Sequence, residues 1–204
     1  MHSPRASLAL AALLGAALAV PGAAQAPNPP NSVLLVARPG MQDPRFRETV
    51  VLVTQAPGAQ TVGVILNRPT GAKLDTLMPG EAAAAHAEPL FYGGPVLPRS
   101  VVALFHAQQP PSAPAFHVLK GVYLSMHPAA IEPLLAGGSV FRLYAGFSGW
   151  LPRQLEGEMR QEAWYVVPAR EEFLFRRDTS GMWAEMLEKA RGARAQKRRA
   201  ILGS

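Results

Sequence analysis

The sequence predicts a single mixed α+β domain. Seven short runs rich in β-branched and other apolar residues are separated by Gly, Pro and Asn, which is the pattern of strands bounded by turns. The helix candidates fall among these runs without a regular strand–helix alternation. No segment repeats, so one domain is the simplest organisation.

The predicted strands are short, and two of them form a hairpin. The runs span residues 33–37, 49–54, 61–66, 101–105, 116–119, 140–147 and 163–167. The turn sequence APGA at 56–59 separates the second run from the third, so these two strands should pair antiparallel. Both are apolar on their two faces, which predicts central strands covered on each side.

The run at 140–147 has a different pattern. Phe141, Leu143 and the alternate residues after them form one apolar face, which we expect helices to cover. Arg142 and Tyr144 lie on the other face, where the alternation predicts contact with water.

Four helices are predicted, at 81–87, 128–135, 152–161 and from Ser180 towards the C-terminus. The second begins with Pro128 and is followed by two glycines, the usual asymmetry of helix ends. In the last helix Trp183, Met186, Leu187 and Ala190 recur at helical spacing, so this stripe should pack against the core.

The stretch Gly146-Phe147-Ser148-Gly149 resembles a nucleophile elbow, but its second glycine comes one position early. We therefore interpret it as a bend in the scaffold that leads into the third helix. Leu151, Leu155 and Met159 should form the buried side of that helix, with Glu156 and Arg160 as an exposed pair. Gly157 suggests close packing against another backbone.

No catalytic residues, metal site or cofactor are predicted. The sequence has no Cys, P-loop, G-x-G-x-x-G or H-E-x-x-H motif, and its histidines lack the short spacings of a metal site. His106 and His117 flank one predicted hairpin loop, so this loop would bring these two histidines close together. Neighbouring carboxylates such as Glu156 and Glu158 are interpreted as solvated faces.

Two turns are candidate ligand-binding loops. Asn67 and Arg68 end a central strand and present an amide and a guanidinium, groups that hold carboxylates or phosphates well. Gly93 and Gly94 place bare main chain between apolar residues, where a ligand or another segment can approach closely. Purely structural turns are the alternative interpretation for both.

Residues 1–26 have the features of a secretory signal peptide. An apolar run from Leu8 to Val20 follows Arg5, and Ala24-Gln25-Ala26 provides small residues for cleavage after Ala26. A membrane anchor is the alternative, but the run is shorter than the ~20 residues that span a bilayer. We expect a periplasmic protein beginning at Pro27, or a cytoplasmic one if the leader is not processed.

The positive charge of the chain is concentrated at its C-terminus. Residues 189–204 contain six of the 20 Lys and Arg residues and no acid, whereas the body at 27–188 is nearly neutral. Such a tail suits contact with an anionic membrane surface, or simply a solvated helix end. Nucleic acid is not an expected partner of an exported chain.

Several blocks together resemble one known family. They are ARPGMQDPRFRETVVLVT, GVILNRPTG, FYGGPV, and YAGFSGWLPRQLEGEM leading into AWYVV. In this order and at these spacings, from Val33 to Arg176, the chain resembles the YqgE/AlgH family. The resemblance implies bent, largely antiparallel sheets that form a barrel-like core with flanking helices. It also marks Gln154, in the last block, as a further candidate ligand-binding residue.

The resemblance implies little about activity. The family has no agreed biochemical function or established catalytic residues, and its occasional label of transcriptional regulator fits poorly with an export signal. The sequence therefore predicts a non-catalytic binding or accessory protein of the bacterial envelope, with an unknown protein or small-molecule partner. A small-ligand binder or enzyme that uses the Asn-Arg-Pro and Gly-Gly-Pro turns is the alternative.

Overall fold

The computed structural model describes residues 31–55 and 60–202. The expected leader at 1–26 and the hairpin turn at 56–59 lie outside the described residues. The strands are β1 (Val33–Ala37), β2 (Val50–Gln55), β3 (Thr61–Ile65), β4 (Phe91–Tyr92), β5 (Val96–His106), β6 (Phe116–Leu119), β7 (Val122–Ser125), β8 (Phe141–Trp150) and β9 (Trp164–Pro168). The α-helices are α1 (Glu81–Ala84), α2 (Pro128–Leu135), α3 (Gln154–Arg160), α4 (Glu171–Leu174) and α5 (Met182–Leu202), with a short 3-10 helix at Leu74–Thr76.

The strands form one largely antiparallel sheet, which confirms the predicted mixed α+β domain. Its order is β6-β7-β5-β8-β3-β2-β1-β9, and the short β4 pairs with β8 in parallel. The predicted hairpin is present, with β2 antiparallel to β3. The sheet bends so that β6 contacts β2, but it is not closed, so the barrel-like description is only approximate.

The central strands are covered on both faces, as their apolar composition predicted. On β2 and β3, Leu52 and Val64 belong to one core and Val51 and Ile65 to another. The first core lies under α4 and α5. The opposite face of the sheet is divided between a core with α1 and α2 and a core with α3 and the segment before β2.

Helix α2 has the predicted ends, and α5, which begins at Met182, buries residues of its predicted apolar stripe. Helix α2 begins at Pro128, and the Nδ1 atom of His127 caps it by accepting a hydrogen bond from Ala129 N at 3.2 Å. In α5, Met186 and Leu187 are buried as predicted. Trp183 also ties α5 to the sheet, because its Nε1 donates to Ala37 O at 2.7 Å.

The predicted exposure of Arg142 and Tyr144 is wrong. Arg142 is 8 % exposed and Tyr144 is 0 % exposed, because this face of β8 belongs to the core under α4 and α5. Alternation along a strand shows only that its two faces differ in polarity. It does not reveal that a distant helix covers the more polar face.

Two expectations for α3 are also wrong, while its ion pair is confirmed. Leu151 precedes the helix and is 72 % exposed. A Cβ atom on Gly157 would meet nothing closer than the Arg160 guanidinium at 4.0 Å, so no backbone packs tightly there. The carboxylate of Glu156 faces Arg160 at 4.0 Å. Within residues 31–55 and 60–202, no helix is long and apolar enough to span a bilayer.

Candidate functional site

A loop of residues 38–48, which we call the 38–48 loop, connects β1 to β2 and is braced by two guanidinium groups. Arg47 donates from Nε to Met41 O at 3.1 Å. Arg68 donates from Nη1 to Arg45 O at 2.6 Å and from Nη2 to Arg47 O at 3.1 Å. Charge-assisted hydrogen bonds of this kind are stronger than neutral ones, so Arg68 holds the loop against the end of β3.

The side chain of Asn67 replaces main-chain hydrogen bonds that the sheet lacks at the start of β2. Glu48 has a left-handed φ of 55°, so the chain departs from strand geometry just before β2. The Asn67 side chain fills the gap, because Oδ1 accepts from Val50 N and Nδ2 donates to Glu48 O, each at 2.9 Å. The amide therefore satisfies main-chain groups that the irregular backbone leaves unpaired.

The Gly-Gly-Pro turn meets the Asn-Arg-Pro turn, and main chain fills the junction. Tyr92 N donates to Arg68 O at 2.8 Å. A Cβ atom at Gly93 would overlap Gly146 O, and one at Gly94 would overlap the backbone of Phe147. The two glycines thus allow β8 to approach closely. Ligand binding at Asn67, Arg68, Gly93 and Gly94 stays a prediction.

Ser148 has a structural bond in this junction. It lies within β8, is 0 % exposed, and its hydroxyl donates to Gly93 O at 3.0 Å. The bend predicted in this stretch occurs at Gly146, whose φ is 68°, inside the strand rather than after it.

Gln154 has a separate set of contacts on α3. Its Oε1 accepts from Leu151 N at 3.2 Å, and its Nε2 donates to Glu158 Oε1 at 3.1 Å. The side chain therefore orients the first turn of α3 and the carboxylate of Glu158. Ligand binding by Gln154 also stays a prediction.

Glu158 is at the centre of an aromatic cluster that sequence reasoning missed. Its Oε2 accepts from Trp164 Nε1 at 2.8 Å and from Trp150 Nε1 at 3.1 Å. The ring of Phe46 lies 5.6 Å from that of Trp164 and 6.0 Å from that of Trp150. Interpreting Glu158 as a solvated carboxylate was therefore wrong. The two nearby tryptophans were a signal, because buried indole N–H groups need acceptors.

The 38–48 loop and α3 enclose a cleft of about 480 Å³, which we call the Trp164 cleft. Phe46 and Trp164 line it, and its polar lining includes Gln42, Gln161 and Asp43. This volume is within the range of about 300–1,000 Å³ typical of ligand pockets. The lining combines aromatic surface with hydrogen-bonding groups and with charged groups of both signs.

Ion pairs hold the rim of the Trp164 cleft. Asp43 accepts from Arg45 at 2.6 Å, and this hydrogen bond lowers the pKa of the Asp43 carboxyl below its usual value. Glu162 accepts from Arg38 and from Arg194 of α5, each at 3.0 Å. Hydrogen bonds from Arg38, which has the larger effect, and from Arg194 lower the pKa of the Glu162 carboxyl.

The histidines contact other groups. His106 pairs with Glu171 at 3.0 Å, and His117 stacks on Tyr123 with ring centroids 5.1 Å apart. In the part of the chain that the structure describes, no group of three or more His, Asp or Glu residues is placed to hold a metal ion.

Comparison with known proteins places this geometry in a family. A family model described as AlgH-like (DUF179) matches residues 34–195, which include the loop, both turns and the Trp164 cleft. The chain belongs to the AlgH-like family. The match begins after the expected leader and ends within α5.

Relatives of this AlgH-like chain carry names without a function. It is 32 % identical over 164 residues to a "UPF0301 protein" of Mycobacterium avium (strain 104), covering 76 % of this chain and 80 % of that protein. It is 30 % identical over 164 residues to a "UPF0301 protein" of Rhodococcus jostii (strain RHA1), with the same coverage.

Two solved structures share the AlgH-like fold. Against protein DIP2367 of Corynebacterium diphtheriae the TM-score is 0.60 at 25 % identity, covering 79 % of this chain and 86 % of that one. Against the solution structure of AlgH from Pseudomonas aeruginosa it is 0.59 at 24 % identity, covering 84 % and 88 %. The family resemblance stated from the sequence blocks is therefore confirmed.

Proposed function

We propose that this AlgH-like chain is an exported, non-catalytic binding or accessory protein of the bacterial envelope that uses the Trp164 cleft. The observation that carries the proposal is that hydrogen bonds hold the floor of the Trp164 cleft in place, while its rim presents exposed polar side chains. Glu158 is held by two indole N–H groups and by Gln154, whereas Gln42 and Gln161 at the rim are exposed. A preorganised pocket with exposed polar groups loses little conformational entropy when a partner binds.

Two side chains of types that are often catalytic form hydrogen bonds within the fold instead, which supports binding rather than catalysis. The buried Ser148 hydroxyl donates to a main-chain carbonyl, so its oxygen does not face the Trp164 cleft as a nucleophile would. The Glu158 carboxylate accepts three hydrogen bonds, which hold it in place as a fixed acceptor.

Binding is tested by photo-crosslinking in cells. A photoreactive residue at Gln42 or Gln161 should capture the same partner protein, because both positions line the cleft. The matched control is Lys120, an exposed residue in the turn between β6 and β7 at the other end of the sheet. Equal capture from all three positions, or none from the cleft positions, would contradict the proposal.

Export is tested separately. When the full chain is expressed in a Gram-negative host, the periplasmic fraction should contain protein whose intact mass corresponds to a start at Pro27. Deleting the apolar run Leu8–Val20 should keep the protein in the cytoplasm. Full-length, unprocessed protein in the cytoplasm of the unmodified strain would refute export and leave the cleft experiment unaffected.

The basic tail gives the proposal a second contact, with an anionic membrane surface. Residues 191–196 of α5 are all exposed, so the basic side chains of this segment are accessible to solvent. Arg194 pairs with Glu162, which limits how much of the tail charge is available. Changing Lys197, Arg198 and Arg199 to Gln should abolish salt-sensitive sedimentation with phosphatidylglycerol vesicles, and unchanged sedimentation would exclude the tail.

A further inference from the structure

A second cavity, of about 410 Å³, opens beside the start of β8 and is separate from the Trp164 cleft. We call it the Arg142 cavity. Its apolar lining includes Phe91, Phe141 and Leu143, and its cationic lining consists of Arg142 and Arg177. None of these residues lines the Trp164 cleft or was a candidate for binding in the sequence.

Arg142 is a buried cation without a counter-ion. The residue is more than nine-tenths buried, and its guanidinium lies 4.4 Å from the centroid of the Phe91 ring. Nη2 donates to Arg176 O, but Nη1 is buried and has no hydrogen-bond partner within the described residues. Among those same residues, no carboxylate forms an ion pair with Arg142. Buried charges in proteins are normally paired, because burying an unpaired charge is expensive.

A second buried polar group adjoins this guanidinium. The Tyr144 hydroxyl is fully buried, and the Arg142 guanidinium acts on it through its charge and its N–H groups, although the geometry falls short of a full hydrogen bond. Burial raises the pKa of Tyr144, and the nearby Arg142 charge only partly opposes this, so the phenol is neutral at pH 7. A neutral phenol cannot balance the arginine charge.

The mouth of the cavity carries further polar groups. Arg177 and Glu88 are exposed, and the His86 ring stacks on Phe141 with centroids 5.6 Å apart. Partial burial lowers the pKa of His86, so its imidazole is largely neutral at pH 7. Two guanidinium groups and one carboxylate therefore line the cavity, whose net charge is positive.

We propose that the Arg142 cavity binds a small organic anion. Its carboxylate or phosphate group would lie against Arg142, with Arg177 closing the mouth, and its apolar part would contact Phe91 and Phe141. Arginine presents several N–H donors in one plane and suits such oxyanions. The anion would supply the missing counter-charge, and the apolar lining favours an aromatic or aliphatic portion over a bare ion.

The binding test is calorimetry of the full chain with phenyl phosphate and with benzoate, each compared with benzyl alcohol and with inorganic phosphate. We expect phenyl phosphate or benzoate to bind, and the tighter of the two identifies the preferred oxyanion. Benzyl alcohol lacks the charge and inorganic phosphate the apolar part, so both should bind at least about tenfold more weakly. Absence of binding by both aromatic anions would overturn the proposal, as would equal binding of benzyl alcohol.

Variants assign the binding to this cavity. Arg142→Met should weaken it by about tenfold or more, and Arg177→Gln by a smaller factor. Arg99→Gln removes the same charge from an exposed position that does not line the cavity, and should bind like the unmodified chain. Unchanged binding by both Arg142→Met and Arg177→Gln would place the anion elsewhere and refute the inference.

A stability measurement separates a binding arginine from a structural one. Without any anion, Arg142→Met should melt within about 2 °C of the unmodified chain or higher, since it removes an uncompensated buried charge. A clearly lower melting temperature would mean that the contacts of Arg142 with Phe91 and Arg176 O also stabilise the fold, and the binding measured for Arg177→Gln would then decide. If Arg142→Met does not fold, Arg177→Gln decides the question, because that exposed residue can change without disturbing the core.

Discussion

Replacing Gly93 by alanine is expected to destabilise the protein severely. The added Cβ would approach Gly146 O to well below 3.0 Å, a separation that Cβ atoms essentially never reach, and would lie 3.0 Å from Tyr144 Cβ. Three hydrogen bonds meet at this residue: Gly93 N donates to Ala145 O at 2.9 Å, and Gly93 O accepts from Ile65 N and from the Ser148 hydroxyl, each at 3.0 Å. Moving the main chain apart strains all of them.

The magnitude follows from these contacts. Overpacking costs about 1–3 kcal/mol, and weakening three hydrogen bonds that are worth about 1 kcal/mol each costs about 2 kcal/mol in total, so the free energy of unfolding should fall by about 3–5 kcal/mol. In a domain of this size that corresponds to a melting temperature lower by about 6–20 °C. The control is Gly71→Ala, because nothing lies within 4 Å of the added Cβ. A Gly93→Ala protein that melts like the control would show that β8 does not pack against this turn.

Three further predictions concern the 38–48 loop and the Trp164 cleft. Arg68→Ala should lower the free energy of unfolding by about 1–3 kcal/mol and speed amide hydrogen exchange in residues 38–48, because two main-chain carbonyls lose a charged donor. Glu158→Gln should lower the free energy of unfolding, measured with urea, by about 2 kcal/mol, because an uncharged amide accepts more weakly from the two indoles. Asp43, whose pKa is lowered in the folded state, should stabilise the loop fully above about pH 4 and lose that contribution as pH falls through the folded pKa. Carbon-13 titration should place its midpoint below that of Asp43 in Arg45→Gln, and equal midpoints would contradict the assignment.

The parts of the fold that local signals control were predictable. Strand β1 and helix α2 have the predicted bounds, because a β-branched run and a proline–glycine pair determine them locally. β7 was missed, although the Lys120-Gly121 turn before it, with Gly121 at φ 71°, was a usable hairpin signal. The two-residue β4 was missed because its pairing with β8 depends on a distant partner.

The candidate sites were less predictable than the fold, because they depend on long-range contacts. Asn67 and Arg68 were identified by residue type, but their contacts with the 38–48 loop require a partner about twenty residues away. Arg142 was assigned to solvent because strand alternation carries no information about Arg176, with which it shares a hydrogen bond. Glu158 was dismissed because sequence neighbours suggested an exposed helix face.

The positions of the tryptophans provide an intrinsic optical reporter. Two of the three indoles in the chain, Trp150 and Trp164, donate to Glu158 beside one cleft, and the third, Trp183, lies on α5 and donates to Ala37 O. The lining of the Arg142 cavity includes no tryptophan. Unlabelled protein should therefore change its fluorescence emission when the first cleft is occupied and keep it when the second is filled, so one spectrum can tell the two binding events apart.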